Sequence, residues 1–179
     1  MFRFGMQTTR SMTIDTERLF LREFLPEDAG QVYKLHSDPD VMKFISTPMA
    51  QSVDDADRFI EKQLRYYREH EGLGIFPVFT REHGLFTGWA ALKQLDLSSK
   101  IEVGYRLHKK FWGMGFATEI TRRLLRHAFE DLQLTEIYAV TDPRHLRSQQ
   151  VLTKCGLRLI GTDHFYQKEL FVFRLTNKG

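Results

Sequence analysis

The chain has 179 residues, 42% hydrophobic and 27% charged, which suits one globular domain with its own core rather than two domains or a disordered chain. Its formal net charge of +3 is compatible with an anionic ligand such as a nucleotide but too weak to argue for nucleic acid as a partner. The single cysteine, Cys155, allows no intrachain disulfide and suits a reducing cytoplasm, no Cys/His cluster has the spacing of a metal site, and no apolar run approaches the ~18 residues of a membrane span.

Residues 1–13 read as a disordered or vector-derived tail. Met1 to Met12 contain Arg3 and Arg10, no acid, and no continuous apolar segment of a secretory signal. The domain is then expected over 14–179. Leu19, Leu21 and Phe24, with Arg22 and Glu23 among them, predict a first strand at about 17–25. Pro26 suits a first helical turn, with Glu27 and Asp28 near its positive end. Ala29, Val32, Tyr33 and His36 have helical spacing. Ser52 followed by Asp55 resembles a capping box, and Ala56, Phe59, Ile60 and Leu64 carry that helix to about 70.

Residues 74–80, 85–95 and 101–108 are rich in β-branched and aromatic types, with Gly84 and Ser98-Ser99-Lys100 as hairpin turns. From Ala117 the period changes. Ala117, Ile120, Thr121, Leu124, Leu125, Ala128 and Phe129 form one apolar helical stripe. Glu119, Arg122, Arg123, Arg126 and Glu130 fall on the other face and read as solvated surface. Ile137–Thr141 reads as a buried strand. A helix from about 146 is expected to end at Gly156, before a closing hairpin of Leu157–Phe165 and Glu169–Leu175 around Tyr166-Gln167-Lys168. Intermixed strands and helices point to a mixed α/β sheet with helices on both faces.

The chemically informative stretch is Ile101–Thr118, IEVGYRLHKKFWGMGFAT. A strand ends, a loop holding Gly113 and Gly115 follows, and an amphipathic helix begins at once. Glycines allow close backbone approach, and the free N–H groups of a helix start favour a pyrophosphate. Lys109 and Lys110 add positive charge at the same mouth. The string Gly-x4-Gly-Lys-Ser/Thr of a P-loop is missing, and the third glycine of a dinucleotide fingerprint is Thr118 here.

Lys110-Phe111-Trp112-Gly113-Met114-Gly115 resembles the Gln/Arg-x-x-Gly-x-Gly/Ala signature of GNAT acetyltransferases. The surroundings resemble the ribosomal-protein N-terminal acetyltransferase (RimJ/RimL-like) branch: TERLFLREFLPEDA at Thr16–Ala29, SDPDVMKFI at Ser37–Ile45, IEVGYRL, WGMGFATE, and SQQVLTKCGL at Ser148–Leu157. These five blocks follow the family's order.

The resemblance implies a mixed, mostly antiparallel sheet of about six or seven strands flanked by about four helices. It implies acetyl-CoA as co-substrate, no metal, and an amine acceptor, either a protein N-terminus or a small amine. It is compatible with a homodimer. The strand Ile101–His108 would splay from Ile137–Thr141, and the pantetheine arm would pair with backbone around Tyr105, Arg106 and Leu107. Backbone N–H groups of Gly113, Met114, Gly115, Phe116, Ala117 and Thr118 would hold the pyrophosphate beside Lys110. His145 stands where many members carry an Asn that contacts the pantetheine arm, and Leu152 where many carry a Tyr that protonates the thiolate.

Direct attack by an amine needs a base, a polarised carbonyl and a stabilised thiolate, with much of the rate coming from positioning. Glu102 is the candidate base; a surface-facing glutamate on an alternating strand is the alternative. Ser148 is the candidate for hydrogen-bonding the thiolate and for touching the cofactor; the alternative is a serine satisfying helix-start N–H groups. Tyr166 is a further candidate acid. Cys155 reads as core filler. A second reading of the whole chain, motivated by His145 and Leu152, is a binding module that keeps the acetyl-CoA cleft and has lost turnover.

Overall fold

A computed structural model describes residues 12–177. Residues 1–11 of the expected tail lie outside the described residues, and Thr13 already begins a strand.

The single strand expected over 17–25 is two: β1 (Thr13–Asp15) and β2 (Leu19–Arg22). The Thr16 side chain makes the turn between them, its Oγ1 accepting the Leu19 N–H at 2.9 Å. Pro26 opens a 3-10 turn that leads into α1 (Ala29–His36). Asp28 fixes this entry by accepting the Arg22 fork at 2.7 and 2.8 Å and the Leu25 N–H at 2.9 Å. A short helix not expected from the sequence, α2 (Pro39–Met42), starts at Asp38, whose carboxylate accepts the Asp40 N–H at 2.9 Å. In α3 (Val53–Glu69), Asp55 reaches back to the N–H groups of Ser52 and Gln51 at 3.2 and 2.7 Å.

Three antiparallel strands follow: β3 (Gly74–Thr80), β4 (Phe86–Gln94) and β5 (Ile101–Leu107). Then come α4 (Phe116–Arg126), β6 (Glu136–Thr141), α5 (Leu146–Lys154), β7 (Arg158–Phe165) and β8 (Lys168–Thr176). The apolar stripe expected to continue as one helix to Phe129 changes geometry at His127. A π turn over His127–Asp131 closes with the Leu132 N–H on the His127 carbonyl. The His127 ring ties that turn to Asp131 at 2.7 Å and to the Gly72 carbonyl at 3.1 Å. Two of the arginines expected on a solvated face of α4 are also engaged. Arg122 donates to the Lys154 carbonyl at the end of α5, and Arg123 to the Asp15 carbonyl, each at 3.1 Å.

All eight strands form one sheet in the order β1-β2-β3-β4-β5-β6-β8-β7, so the strand and helix counts exceed the expectation by at least one each. One face packs α4 and α5 through Val103, Leu107, Phe116, Ile120, Leu124 and Leu152. The other packs α1 and α3 through Val32, Leu35, Ile60, Trp89 and Ala91. Every neighbouring pair is antiparallel except β5 and β6, which are parallel and meet at a single register pair, Glu102 with Tyr138. Beyond that pair the two strands diverge. No described helix is long and apolar enough to cross a membrane.

Candidate active site

The divergence of β5 and β6 opens a gap in the middle of the sheet, and the loop after β5 brings the start of α4 to its wide end. Gly113 and Gly115 hold φ of +79° and +81°, the left-handed region that favours glycine. Gly115 is the N-cap of α4 and has no side chain to bond the first amides, so the N–H groups entering that helix keep no internal acceptor. They form an anion site reinforced by the helix dipole. Arg18, from the turn between β1 and β2, braces the loop: it donates to the Met114 carbonyl at 3.0 Å, pairs with Glu119 at 2.7 Å, and lies 4.8 Å over the Phe116 ring. Ala117 packs partly buried against the core, and the Thr118 carbonyl accepts Cys155 Sγ at 3.6 Å. Lys110 sits exposed over Phe111, whereas Lys109 is already paired with Asp40 at 2.6 Å.

Register divides the side chains of β5 between two faces. Glu102, Gly104 and Arg106 stand opposite Lys93, Ala91 and Trp89 of β4 on the α1/α3 face. Val103, Tyr105 and Leu107 point to the α4/α5 face. Glu102 is 7% exposed. Its carboxylate accepts the Lys93 ammonium at 2.6 Å and the Tyr166 hydroxyl. Lys93 also reaches the Tyr166 oxygen at 2.7 Å.

Tyr166 comes from the turn between β7 and β8, where it and Gln167 adopt φ of 51° and 61°. For an aromatic residue this conformation carries strain, and Asp96 holds it in place. Tyr166 N–H donates to Asp96 Oδ2 at 2.8 Å, and the Asp96 N–H donates to the Tyr166 hydroxyl at 3.0 Å. Burial, together with the neighbouring Glu102, raises the Tyr166 pKa, so the phenol keeps its proton.

On the other face, the Tyr105 hydroxyl lies 3.5 Å from Ser148 Oγ. Burial pushes the Tyr105 pKa up to about 12. The N-cap of α5 is His145, not Ser148, and no described bond joins Ser148 Oγ to a helix-start N–H. The His145 ring packs on Phe44 with centroids 4.5 Å apart, and burial lowers its pKa, so at neutral pH it offers one donor and one acceptor. Leu107 differs from Tyr105 and Arg106 in that its carbonyl already accepts the Trp112 indole N–H at 2.8 Å. The loop after α2 meets the β7–β8 turn where Lys168 donates to the Ile45 carbonyl at 3.4 Å.

The structure therefore gathers the expected residues into three groups: Gly113–Thr118 at the wide end of the gap, Glu102 with Tyr166 on one face, and Ser148 with Tyr105 on the other. The acetyltransferase (GNAT) domain matches residues 18–158 of this chain. The chain belongs to the GNAT acetyltransferase family. As a GNAT protein it is an acetyl-CoA-dependent N-acetyltransferase. Among its relatives is FsC-acetyl coenzyme A-N(2)-transacetylase of Aspergillus fumigatus, 30% identical over 164 residues that cover 87% of this chain and 68% of the relative. The uncharacterised N-acetyltransferase YnaD of Bacillus subtilis is 29% identical over 157 residues, covering 88% and 87%. A GNAT acetyltransferase of Bacillus anthracis shares the fold with a TM-score of 0.78 at 24% identity, over 92% of this chain and 98% of that one.

For this GNAT chain the gap and the uncapped start of α4 fit acetyl-CoA, which needs backbone donors for its phosphates and an open strand edge for its amide-bearing arm. No cluster of side chains among the described residues suits a metal ion. Sequence reasoning missed Lys93, Asp96, Arg18 and the Tyr105 hydroxyl. A hairpin turn at 98–100 would set Lys93 opposite Tyr105; the turn closes instead between Leu95 and Lys100, which sets Lys93 opposite Glu102.

Proposed function

We propose that the protein acetylates a primary amine, a peptide N-terminus or a small molecule, by direct attack with both substrates bound. The observation that carries this reading is the buried Glu102–Lys93–Tyr166 cluster, placed where β5 and β6 part. Bound acetyl-CoA supplies the activated acetyl group. Glu102 takes the proton of the incoming amine, directly or through a water, and Lys93 sets the field around that carboxylate. Tyr166 keeps its own proton and orients Glu102 rather than serving as the acid. Tyr105 donates to Ser148, which leaves the Ser148 hydroxyl free to donate toward sulfur as negative charge develops there. The relative named as an acetyl coenzyme A-N(2)-transacetylase supports nitrogen as the acceptor atom.

The test is a liquid-chromatography screen of amines and N-terminal peptides with acetyl-CoA, monitoring free thiol and acetylated product. Product with at least one amine, lost in Glu102→Gln at acid pH, supports the reading. Tight acetyl-CoA binding with no thiol release across the panel rejects it. That result would favour a binding module, the reading that Leu152, buried where a hydroxyl would stand, keeps open.

A further inference from the structure

Arg106 lies on this face and has no task in the proposed chemistry. Its guanidinium stacks on Trp89, 4.7 Å above the ring. Its Nε is sealed from solvent and has no hydrogen-bond partner. No carboxylate among the described residues pairs with it, and burial alone pulls its pKa down to about 10. Residues 1–11 contain no Asp or Glu. His36, on the same face, accepts the Trp89 indole N–H at 2.8 Å and is held neutral, its pKa lowered to about 3 by burial with help from Arg106 and His108. His108, half-buried, is likewise shifted toward its neutral form. A guanidinium whose Nε is shut off from water with no partner is costly to the fold, and arginine's planar fork is shaped for a carboxylate or phosphate.

The placement of this cation says which ligand it serves. Arg106 shares its face of β5 with Glu102, four residues away, a span of about 13 Å along the strand. Between them stands Gly104, where an added Cβ would meet nothing within 4 Å. The floor between carboxylate and guanidinium is thus open. Lys109, on the loop after β5, is already neutralised by Asp40, whereas Arg106 has no ion pair among the described residues. The anion-binding amides at the start of α4 form a separate site beyond the end of the strand.

We infer that the acceptor is an amine bearing a second, anionic group, a carboxylate or phosphate, which Arg106 holds while the amine faces Glu102. This rests on the acetyl-transfer reading above. The Trp89 ring supports the fork from one side, and Gly104 sets the room available between the two ends of the acceptor.

The experiment compares matched amines with wild-type protein, Arg106→Gln and Arg106→Lys. The probes are 4-aminobutyrate and 4-aminobutanamide, 6-aminohexanoate and 6-aminohexanamide, 8-aminooctanoate and 8-aminooctanamide, phosphoethanolamine and ethanolamine, and N-terminal peptides with Asp or Asn at the second or third position. Acetyl-CoA affinity of each variant is measured separately by calorimetry. The expected result is a kcat/KM at least about tenfold higher for the anionic member of a pair. That preference collapses in Arg106→Gln and survives in part in Arg106→Lys. A stronger response to carboxylates than to phosphoethanolamine, or the reverse, identifies which anion is read. Equal rates for the two members of every acetylated pair overturn the inference while acetyl transfer stands. So does a preference unchanged in Arg106→Gln, or a loss confined to acetyl-CoA affinity, which would assign Arg106 to the cofactor. Acetyl-CoA binding with no amine acetylated defeats the acetyl-transfer reading itself, and this inference with it.

Discussion

Replacing Gly115 by valine tests the anion site directly. The residue holds φ of +81° and ψ of −2°, and a Cβ there would stand 3.3 Å from the Arg18 guanidinium. A left-handed conformation costs a residue with a side chain about 1–2 kcal/mol, and more when it is β-branched. If the loop bears that strain, the melting temperature falls by about 2–4 °C for each kcal/mol in a chain of this size. If it relaxes out of the left-handed region, the amides of Phe116 to Thr118 turn from their present direction. A hydrogen bond to a charged group contributes about 1.5–3 kcal/mol, so misaiming two of them removes about 3–6 kcal/mol. That corresponds to a loss of about 10²–10⁴-fold in acetyl-CoA affinity. Calorimetric titration with acetyl-CoA, alongside circular dichroism and a thermal melt, reads both effects on one preparation. Gly115→Ala should give the same signs with smaller size. Affinity within about threefold of wild type in a folded Gly115→Val protein would refute the assignment of these amides to the pyrophosphate.

Glu102→Gln should lower turnover most at low pH, where the acceptor amine is protonated, and leave acetyl-CoA affinity unchanged; a pH–rate profile of wild-type shape and height would remove Glu102 as the base. Ser148→Ala should reduce kcat by about tenfold or more with little change in acetyl-CoA affinity, and Tyr105→Phe should reduce it less, with the double variant short of the product because the hydroxyls act in series. Steady-state rates with a melt on each variant check this, and an undiminished kcat in Ser148→Ala rejects the role. His36 governs an acid-side loss of stability. Its folded pKa of about 3 lies below its ordinary value of 6.5, so the unfolded chain binds the extra proton, and stability falls as pH drops from about 6.5 toward 3. The slope approaches about 1.4 kcal/mol per pH unit. Denaturant melts at a series of pH values should show that slope diminished in His36→Phe.

Local signals carried most of the fold. Pro26, the Ser52–Asp55 pair, Gly84 and Gly156 each mark a boundary through backbone chemistry that acts within a few residues. The split of the first strand escaped because the turn depends on one side chain, Thr16, replacing a backbone partner. The π turn after α4 escaped because it goes with a long-range tie between His127 and the Gly72 carbonyl, which no local pattern announces. The same division holds in the site. The loop Gly113–Thr118 is contiguous and could be read directly. The setting of Glu102 could not, since Tyr166 reaches it from the distant β7–β8 turn and Lys93 meets it only through the exact register of β4 with β5. Arg106 was read for its backbone alone, because a missing counter-ion is a property of three-dimensional surroundings.

The lone register pair between β5 and β6 leaves two inward-facing sheet edges inside a folded domain. Past Glu102 and Tyr138, each strand is bonded on its outer side only, β5 to β4 and β6 to β8. Ordinary exposed edges invite another chain to pair with them. These are hidden by geometry, because a gap closed at one end and backed by α4 and α5 on one face admits a slender guest and excludes a strand with side chains. The two halves of the sheet are joined there by little backbone bonding, so they can breathe as two leaves hinged at one residue pair. Amide exchange at Tyr105 and Arg106, and at Ala139 to Thr141, should report that motion. A guest bonded to both edges would slow it and tighten the leaves into one continuous sheet.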